Sequence, residues 1–251
     1  MVEHRWARPQ WHSTIDSTHR VLLADPVPGA VVVADYQSAG QGRRGRVWSA
    51  PPGTSLAVSV AVPSVRSDWI GWVPLLAGLA VSRAVNQCGY GVRARLKWPN
   101  DVLVTGPGES EPRKVCGVLA AARPGVVVIG AGLNIDQRRE QLPTAAATSW
   151  ALAAGIALPH EIRFRWLNAY LDHLARLLDD LADGVQLRLS YREACSTIGQ
   201  QVRIDLSGGK TISGGAVDID ADGALLVRTE RGELAFHAGD VIHLRPVADS
   251  Q

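Results

Sequence analysis

The chain has 251 residues, three cysteines and a formal net charge of +2. This length holds one large domain, or one domain with a small module, and the near balance of charge makes neither nucleic acid nor a membrane surface a required partner. Three scattered cysteines without metal-ligand spacing exclude a disulfide framework and point to a reducing compartment, so the expected location is the cytoplasm.

Met1 to Trp11 carries His, Arg, Trp and Pro but no apolar signal core. Ala30 to Tyr36, rich in β-branched residues, predicts a buried strand. It leads into Gly40-Gln41-Gly42-Arg43-Arg44-Gly45-Arg46-Val47-Trp48. The glycines free the backbone to bend, the arginines offer permanent charge and forked donors, and the tryptophan offers a flat face. That is chemistry for a nucleotide phosphate, and it is equally the composition of a solvated basic hairpin. The spacing Gly40-x-Gly42-x-x-Gly45 matches the dinucleotide fingerprint. That fingerprint must open a helix and be followed by an acidic residue about 20 positions on. Here Trp48-Ser49-Ala50-Pro51-Pro52-Gly53 follows, which cannot be a helix body, and Val60 to Ser64 holds no carboxylate. The loop holds no Gly-Lys-Ser/Thr, and at Gly209-Lys210-Thr211 the first glycine of the pattern is replaced by Ile204, so a P-loop fails as well. The loop alone leaves the phosphate site and the basic hairpin both open.

Thr54 to Val62 predicts the next strand, and a helix follows with Pro74 in its first turn and Leu76, Leu79, Ala80 and Ala84 on one face, ending near Gly89. Val92 to Trp98 alternates strictly, with Arg93, Arg95 and Lys97 on the polar side. Pro99 ends that strand, Asp101 to Val104 starts another, and Thr105 to Arg113 reads as a hairpin loop. Lys114 to Ala122 and Gly125 to Ile135 are two apolar strands, and Cys116 inside the first reads as a small core residue. The low-charge stretch Ala145 to Leu158 is too short to span a bilayer. A long helix is expected over His160 to Asp183, with the stripe Ile162, Trp166, Tyr170, Leu174, Leu177 and Leu181 and Gly184 as its stop. After Gly199 five short runs (201–206, 211–219, 224–229, 233–237 and 240–244) alternate with turns at Gly208-Gly209, Asp222-Gly223 and Arg231-Gly232. They predict a small β-barrel and a boundary near Gly199. The seven histidines form no His-Glu-x-x-His or comparable cluster, so no protein-bound metal is expected.

Lys97-Trp98-Pro99-Asn100-Asp101 places a lysine at the end of an alternating strand, just before a proline. Alone it reads as an ordinary edge-strand lysine. Taken in order with Asp16-Ser17-Thr18, Gln37 to Trp48, the segment from Lys114 to Gly117, Gly130-Ala131-Gly132-Leu133-Asn134 and Ala147-Thr148-Ser149, it resembles the biotin protein ligases. These enzymes attach biotin to carboxylase carrier domains. The resemblance spans nearly the whole chain, and the ordered set is specific where each motif is weak.

The resemblance implies an α+β fold: a mixed β-sheet catalytic domain flanked by helices over 1–199, then a small SH3-like C-terminal β-barrel over 200–251. It implies ATP-dependent formation of biotinyl-5′-AMP, with Mg²⁺ accompanying the nucleotide, and transfer to a lysine of the biotin carboxyl carrier domain of an acyl-CoA carboxylase. Biotin would be held by Ser17, Thr18, His19, Gln37, Gln41, Gly42, Arg43, Lys97 and Gly117. The nucleotide would meet Arg43, Arg44, Arg46, Trp48 and Asn134, with Arg43 and Lys97 as the catalytic cations. Gln41 stands where the family usually has arginine, His19 where it has asparagine and Cys116 where it has a small alanine-like residue. A lipoate ligase and a non-catalytic nucleic-acid module are the competing readings. A biotin-sensing repressor is disfavoured, because Ser17-Thr18 leaves no room before it for a helix-turn-helix. The expected partners therefore include no nucleic acid and no membrane, and the expected assembly is a monomer or a weak homodimer.

Overall fold

The computed structural model describes residues 5–65, 69–206, 209–237 and 240–243. Valine-rich runs build the middle of its main sheet. β1 (Gln10–His12), β2 (Val31–Ala34), β3 (Ser55–Pro63), β4 (Arg93–Lys97), β5 (Asp101–Thr105), β6 (Arg113–Arg123) and β7 (Val126–Asn134) lie in the order β1-β2-β3-β7-β6-β5-β4. β3 and β7 pair antiparallel from Ser55 with Asn134 to Pro63 with Val126 and are buried nearly throughout. Covered on both faces, such strands read as continuous apolar runs rather than alternations. The β1–β2 pair is parallel and the others are antiparallel, so the sheet is mixed.

One face is covered by α2 (Trp72–Cys88), on which α4 (Ile162–Asp179) packs. The predicted α4 stripe is buried at Ile162, Trp166, Tyr170, Leu174 and Leu177. The other face carries α1 (Thr18–Ala24), whose Leu22 joins Val32, Ala61, Val126 and Val128 in a second small cluster. A short α3 (Trp150–Ala154) begins at the Ser149 cap, where the hydroxyl accepts from the Leu152 N–H.

Gly184 does not stop the long helix. Asp183 caps a new one, α5 (Gly184–Ala194), by accepting from the Gln186 N–H. Glycine is required there for space, since a Cβ would lie 2.5 Å from Cη2 of Trp69. The long helix itself is shorter than expected, giving way to a 3₁₀ turn over Asp180–Ala182.

The five C-terminal strands form a second, antiparallel sheet of β8 (Gln201–Asp205), β9 (Thr211–Ile219), β10 (Leu225–Thr229), β11 (Gly232–Phe236) and β12 (Asp240–His243), in the order β11-β10-β9-β8-β12. Of the residues expected in these strands and turns, Gly208 and Leu244 lie outside the described residues. Tryptophan N–H groups from α2 and from the turn after β4 tie the β9–β10 turn to the first domain. Trp98 Nε1 donates to the Gly223 carbonyl at 3.1 Å and Trp72 Nε1 to the Ala221 carbonyl at 2.7 Å. The Trp98 backbone N–H donates to Thr197 Oγ1 at 3.0 Å. One continuous apolar core runs through both sheets. Among the described residues no helix is long and apolar enough to cross a membrane.

Candidate functional site

Three glycines open a trough in the main sheet. Gly117 of β6 faces Gly132 of β7, and Gly130 faces Leu119. A Cβ on Gly132 would lie 2.5 Å from the Trp48 ring, one on Gly117 3.3 Å from both Trp48 and Lys114 Nζ, and one on Gly130 3.1 Å from His19 Cδ2. The absent side chains therefore let other groups approach the bare backbone. Above this floor is a cavity of about 960 Å³, bounded by the first turn of α1, the loop 40–48, the Lys97–Asp101 turn, the Glu111–Lys114 segment and β12.

The loop 40–48 folds over the cavity as a tight hairpin with one 3₁₀ turn over Arg43–Gly45 and leads into β3, not an α-helix, which disposes of the dinucleotide fingerprint. Gln41 bridges Val47, Gly42 N–H donates to the Arg46 carbonyl at 2.7 Å, and Trp48 N–H donates to the Gly40 carbonyl at 2.9 Å. Its tip turns through Arg44 and Gly45 at positive φ, 56° and 72°. Gly40 is required for space: its Cβ would stand 2.4 Å from the Trp48 carbonyl oxygen. Arg43 Nη1 donates to Asn100 Oδ1 at 2.9 Å, fastening this lid to the turn between β4 and β5.

One end of the cavity is polar and uncharged. The Ser17 hydroxyl caps α1 by accepting from the Arg20 N–H. Thr18 donates to Gln37 Oε1 through its backbone N–H at 2.8 Å and its hydroxyl at 3.1 Å, and that hydroxyl lies 2.8 Å from Ser59 Oγ. His19 is buried beside Gly130. Burial lowers its pKa below the ordinary histidine value, a backbone hydrogen bond at Val128 works against that and the Arg123 charge adds to it, so the net effect of the fold favours the neutral ring.

The middle is cationic. Lys114 Nζ sits 2.6 Å from Asp101 Oδ1 and 5.9 Å from the centroid of the Trp48 ring. Lys97 closes β4 opposite Asp101 and lines the same space, as does Arg46. Trp48 Nε1 is buried without a hydrogen-bond partner. Asn134 is turned inward, with Nδ2 donating to the Thr148 carbonyl at 3.0 Å and Oδ1 accepting from Gln137 at 2.8 Å. Burial pushes the Cys116 thiol up to about 12, which suits a packed core residue and not a nucleophile.

The residues expected from sequence thus come together. Ser17, Thr18, His19, Gln37, Gln41, Gly42, Arg43, Arg46, Trp48, Lys97, Gly117 and Asn134 all line the cavity. Arg44 does not, and lies with Arg43 and Asn100 on an adjoining cleft of about 340 Å³. The sequence reading gave no role to Lys114, Asp101, Ser59 or β12, whose Val241 and Ile242 line the cavity from the second sheet. Lys114 and Asp101 sat inside quoted motifs, so a signal for them existed. Ser59 is one polar residue in an apolar run and had none. Among the described residues no group of three or more His, Cys, Asp or Glu side chains is placed to hold a metal ion.

The arrangement can seat an elongated ligand with a neutral polar head beside Thr18 and Gln37 and an anionic segment beside Lys114 and Arg43. Residues 10–136 match the Biotin/lipoate A/B protein ligase family, and residues 197–244 match the biotin protein ligase C terminal domain. The chain is 38% identical over 240 residues to the biotin–[acetyl-CoA-carboxylase] ligase of Mycobacterium tuberculosis, covering 91% of this chain and 86% of that protein. It is 30% identical over 244 residues to the bifunctional ligase/repressor BirA of Escherichia coli, covering 92% of this chain and 72% of that one. Its fold is similar to the biotin protein ligase of Aquifex aeolicus in complex with biotin and ATP, with a TM-score of 0.78, 26% identity, and coverage of 96% and 100%.

Proposed function

The chain belongs to the biotin/lipoate A/B protein ligase family, and we infer that it works as a biotin protein ligase, activating biotin with ATP and passing it to a carrier protein. The observation that carries this reading is the glycine-floored cavity, with its neutral Thr18–Gln37–Ser59 end and its Lys114 centre under an arginine-bearing lid. Biotin has a matching shape: an uncharged ureido head at one end and a carboxylate at the other. A buried ureido needs such polar partners, because unpaired polar groups are costly to bury.

In the first half-reaction a biotin carboxylate oxygen bonds to the α-phosphorus of ATP and pyrophosphate leaves. Two anions must meet, and fixed cations lower that barrier. Arg43, Lys97 and Lys114 are the cations we assign. Of these, Lys114 lies against the glycine floor and is held there by Asp101. Mg²⁺ is proposed to arrive on the nucleotide as its counter-ion. Trp48 would pack beside the adenine, with Asn134, Arg44 and Arg46 on the nucleotide side. In the second half-reaction the ε-amine of the acceptor lysine loses a proton and attacks the acyl carbon, and AMP leaves. The mixed anhydride formed between the two steps is hydrolysable, so a lid that excludes water preserves it.

We propose the acceptor to be the biotin carboxyl carrier domain of an acyl-CoA carboxylase, and the working form to be a cytoplasmic monomer or weak homodimer without nucleic-acid or membrane partners. We place the division between catalytic and C-terminal domains at 199/200. Pyrophosphate exchange into ATP tests the reading: it should require biotin, and exchange driven by lipoate in place of biotin would assign the chain to the other branch of the family.

A further inference from the structure

The geometry points to Arg163 as the residue that positions the lid, by clamping both of its feet to the turn that follows Asn134. Arg163 lies in the first turn of α4 and its side chain is only 6% exposed. Its guanidinium meets four oxygens from three separate segments, three as hydrogen-bond acceptors and one as an ion-pair partner. Nη1 donates to the Ser55 carbonyl at 2.9 Å, and Nη2 donates to the Gly53 carbonyl and, at 3.0 Å, to Asp136 Oδ2. Asp35 Oδ1 completes an ion pair with Nη1 at 3.9 Å.

These partners are the boundaries of the lid. Asp35 precedes Gln37 and the rising limb. Gly53 and Ser55 end the falling limb. Asp136 stands two residues beyond Asn134. The backbone follows the same plan: Gly53 N–H donates to the Asp35 carbonyl at 3.3 Å, and the Thr54 carbonyl accepts from both Ile135 and Asp136. A planar, forked cation can hold several acceptors in one fixed arrangement, which a flexible ammonium cannot. A nearly buried arginine offers a poor return as a stabiliser, because desolvation offsets the attraction of its partners. Its value here is geometric. With the feet fixed, the hairpin swings from a defined base and brings Arg43 and Trp48 down in register with Asn134.

The inference rests on reading residues 40–48 as a lid, and one digest separates the two ideas. Trypsin cuts after Arg43, Arg44 and Arg46, and the last two of that tip are exposed along with Gly45. Protection of the wild-type lid by biotin plus ATP tests the lid itself. The comparison of wild type with Arg163→Lys and Asp136→Asn in the full chain tests Arg163. We expect Arg163→Lys to melt cooperatively, yet to lose ligand protection at the lid and to release biotinyl-5′-AMP about tenfold faster, the effect of losing one charge-assisted hydrogen-bond set. Asp136→Asn, whose carboxylate is 41% exposed, should shift both readouts in the same direction without unfolding the chain. The double variant should be no worse than Arg163→Lys alone, because the two act through one clamp. A folded Arg163→Lys with wild-type lid protection and adenylate retention overturns the proposal. If Arg163→Lys does not fold, wild-type behaviour of Asp136→Asn overturns it instead.

Discussion

Arg43 Nη1 donates to Asn100 Oδ1 at 2.9 Å, and Asn100 in turn donates through Nδ2 to the Val118 carbonyl at 2.9 Å. The lid is thereby latched to the floor strand through a single amide. Arg43→Ala removes a charge-assisted bond, so biotinyl-5′-AMP should escape about ten- to a hundredfold faster. Asn100→Ala should act in the same direction, and the double variant should add little. Single-turnover trapping of the intermediate measures this, and retention equal to wild type in Arg43→Ala would refute the latch.

The two lysines at the centre can be separated. Lys114 is pinned by Asp101 at 2.6 Å beside the Gly117 floor, whereas Lys97 sits at the strand end opposite the same aspartate. Lys114→Ala should lower biotin-dependent pyrophosphate release by about a hundred- to a thousandfold, the usual cost of deleting one transition-state donor. Lys97→Ala should cost less. The opposite ranking would return the main cationic role to Lys97.

Space also makes a prediction. A methyl group on Gly132 would fall 2.5 Å from the Trp48 ring, and one on Gly40 would meet the Trp48 carbonyl oxygen at 2.4 Å. Gly132→Ala should displace the indole and Gly40→Ala the hairpin base, each raising the KM for ATP while the far-UV circular dichroism spectrum stays native. Unchanged kinetics in both variants would mean that Trp48 does not face the nucleotide.

His19 gives the pH dependence its sign. Burial lowers its folded pKa below the ordinary value, so the folded chain favours the neutral ring. Stability from this group is present above the unfolded pKa, about 6.5, and is lost as pH falls through that value toward the folded pKa. His173, whose pKa burial also lowers, contributes with the same sign. Melting temperature should therefore drop between pH 7.5 and pH 5.5, and drop less in His19→Asn, a comparison that leaves His173 in place. Equal drops in the two proteins would show that His19 is not held neutral by the fold.

Much of this was legible in the sequence because backbone rules act locally. The alternation over Val92 to Trp98, the valine run of β2 and the short β-rich runs after Gly199 all appear as strands near their expected ends. Pro51 and Pro52 correctly ruled out the helix that a dinucleotide site needs. What was not legible depends on distant packing. Gly184 looks like a helix stop until Trp69 is seen against it. α1 and β1 are too short to show a period, and they form because the sheet supplies their partners. In the site, Ser59 became visible only when Thr18 reached it from the start of α1, and Arg163 reads as one more polar residue of an amphipathic helix until the four oxygens around it converge.

The central claim, that this chain joins biotin to a carrier protein through an adenylate, is tested most directly by the intact mass of the acceptor. Purified chain is incubated with biotin, ATP, Mg²⁺ and a biotin carboxyl carrier domain. The account predicts that the carrier gains the mass of one biotinyl group on a single lysine, that the gain requires both biotin and ATP, and that AMP is released. A carrier that keeps its original mass while a known ligase modifies it in parallel would contradict the account.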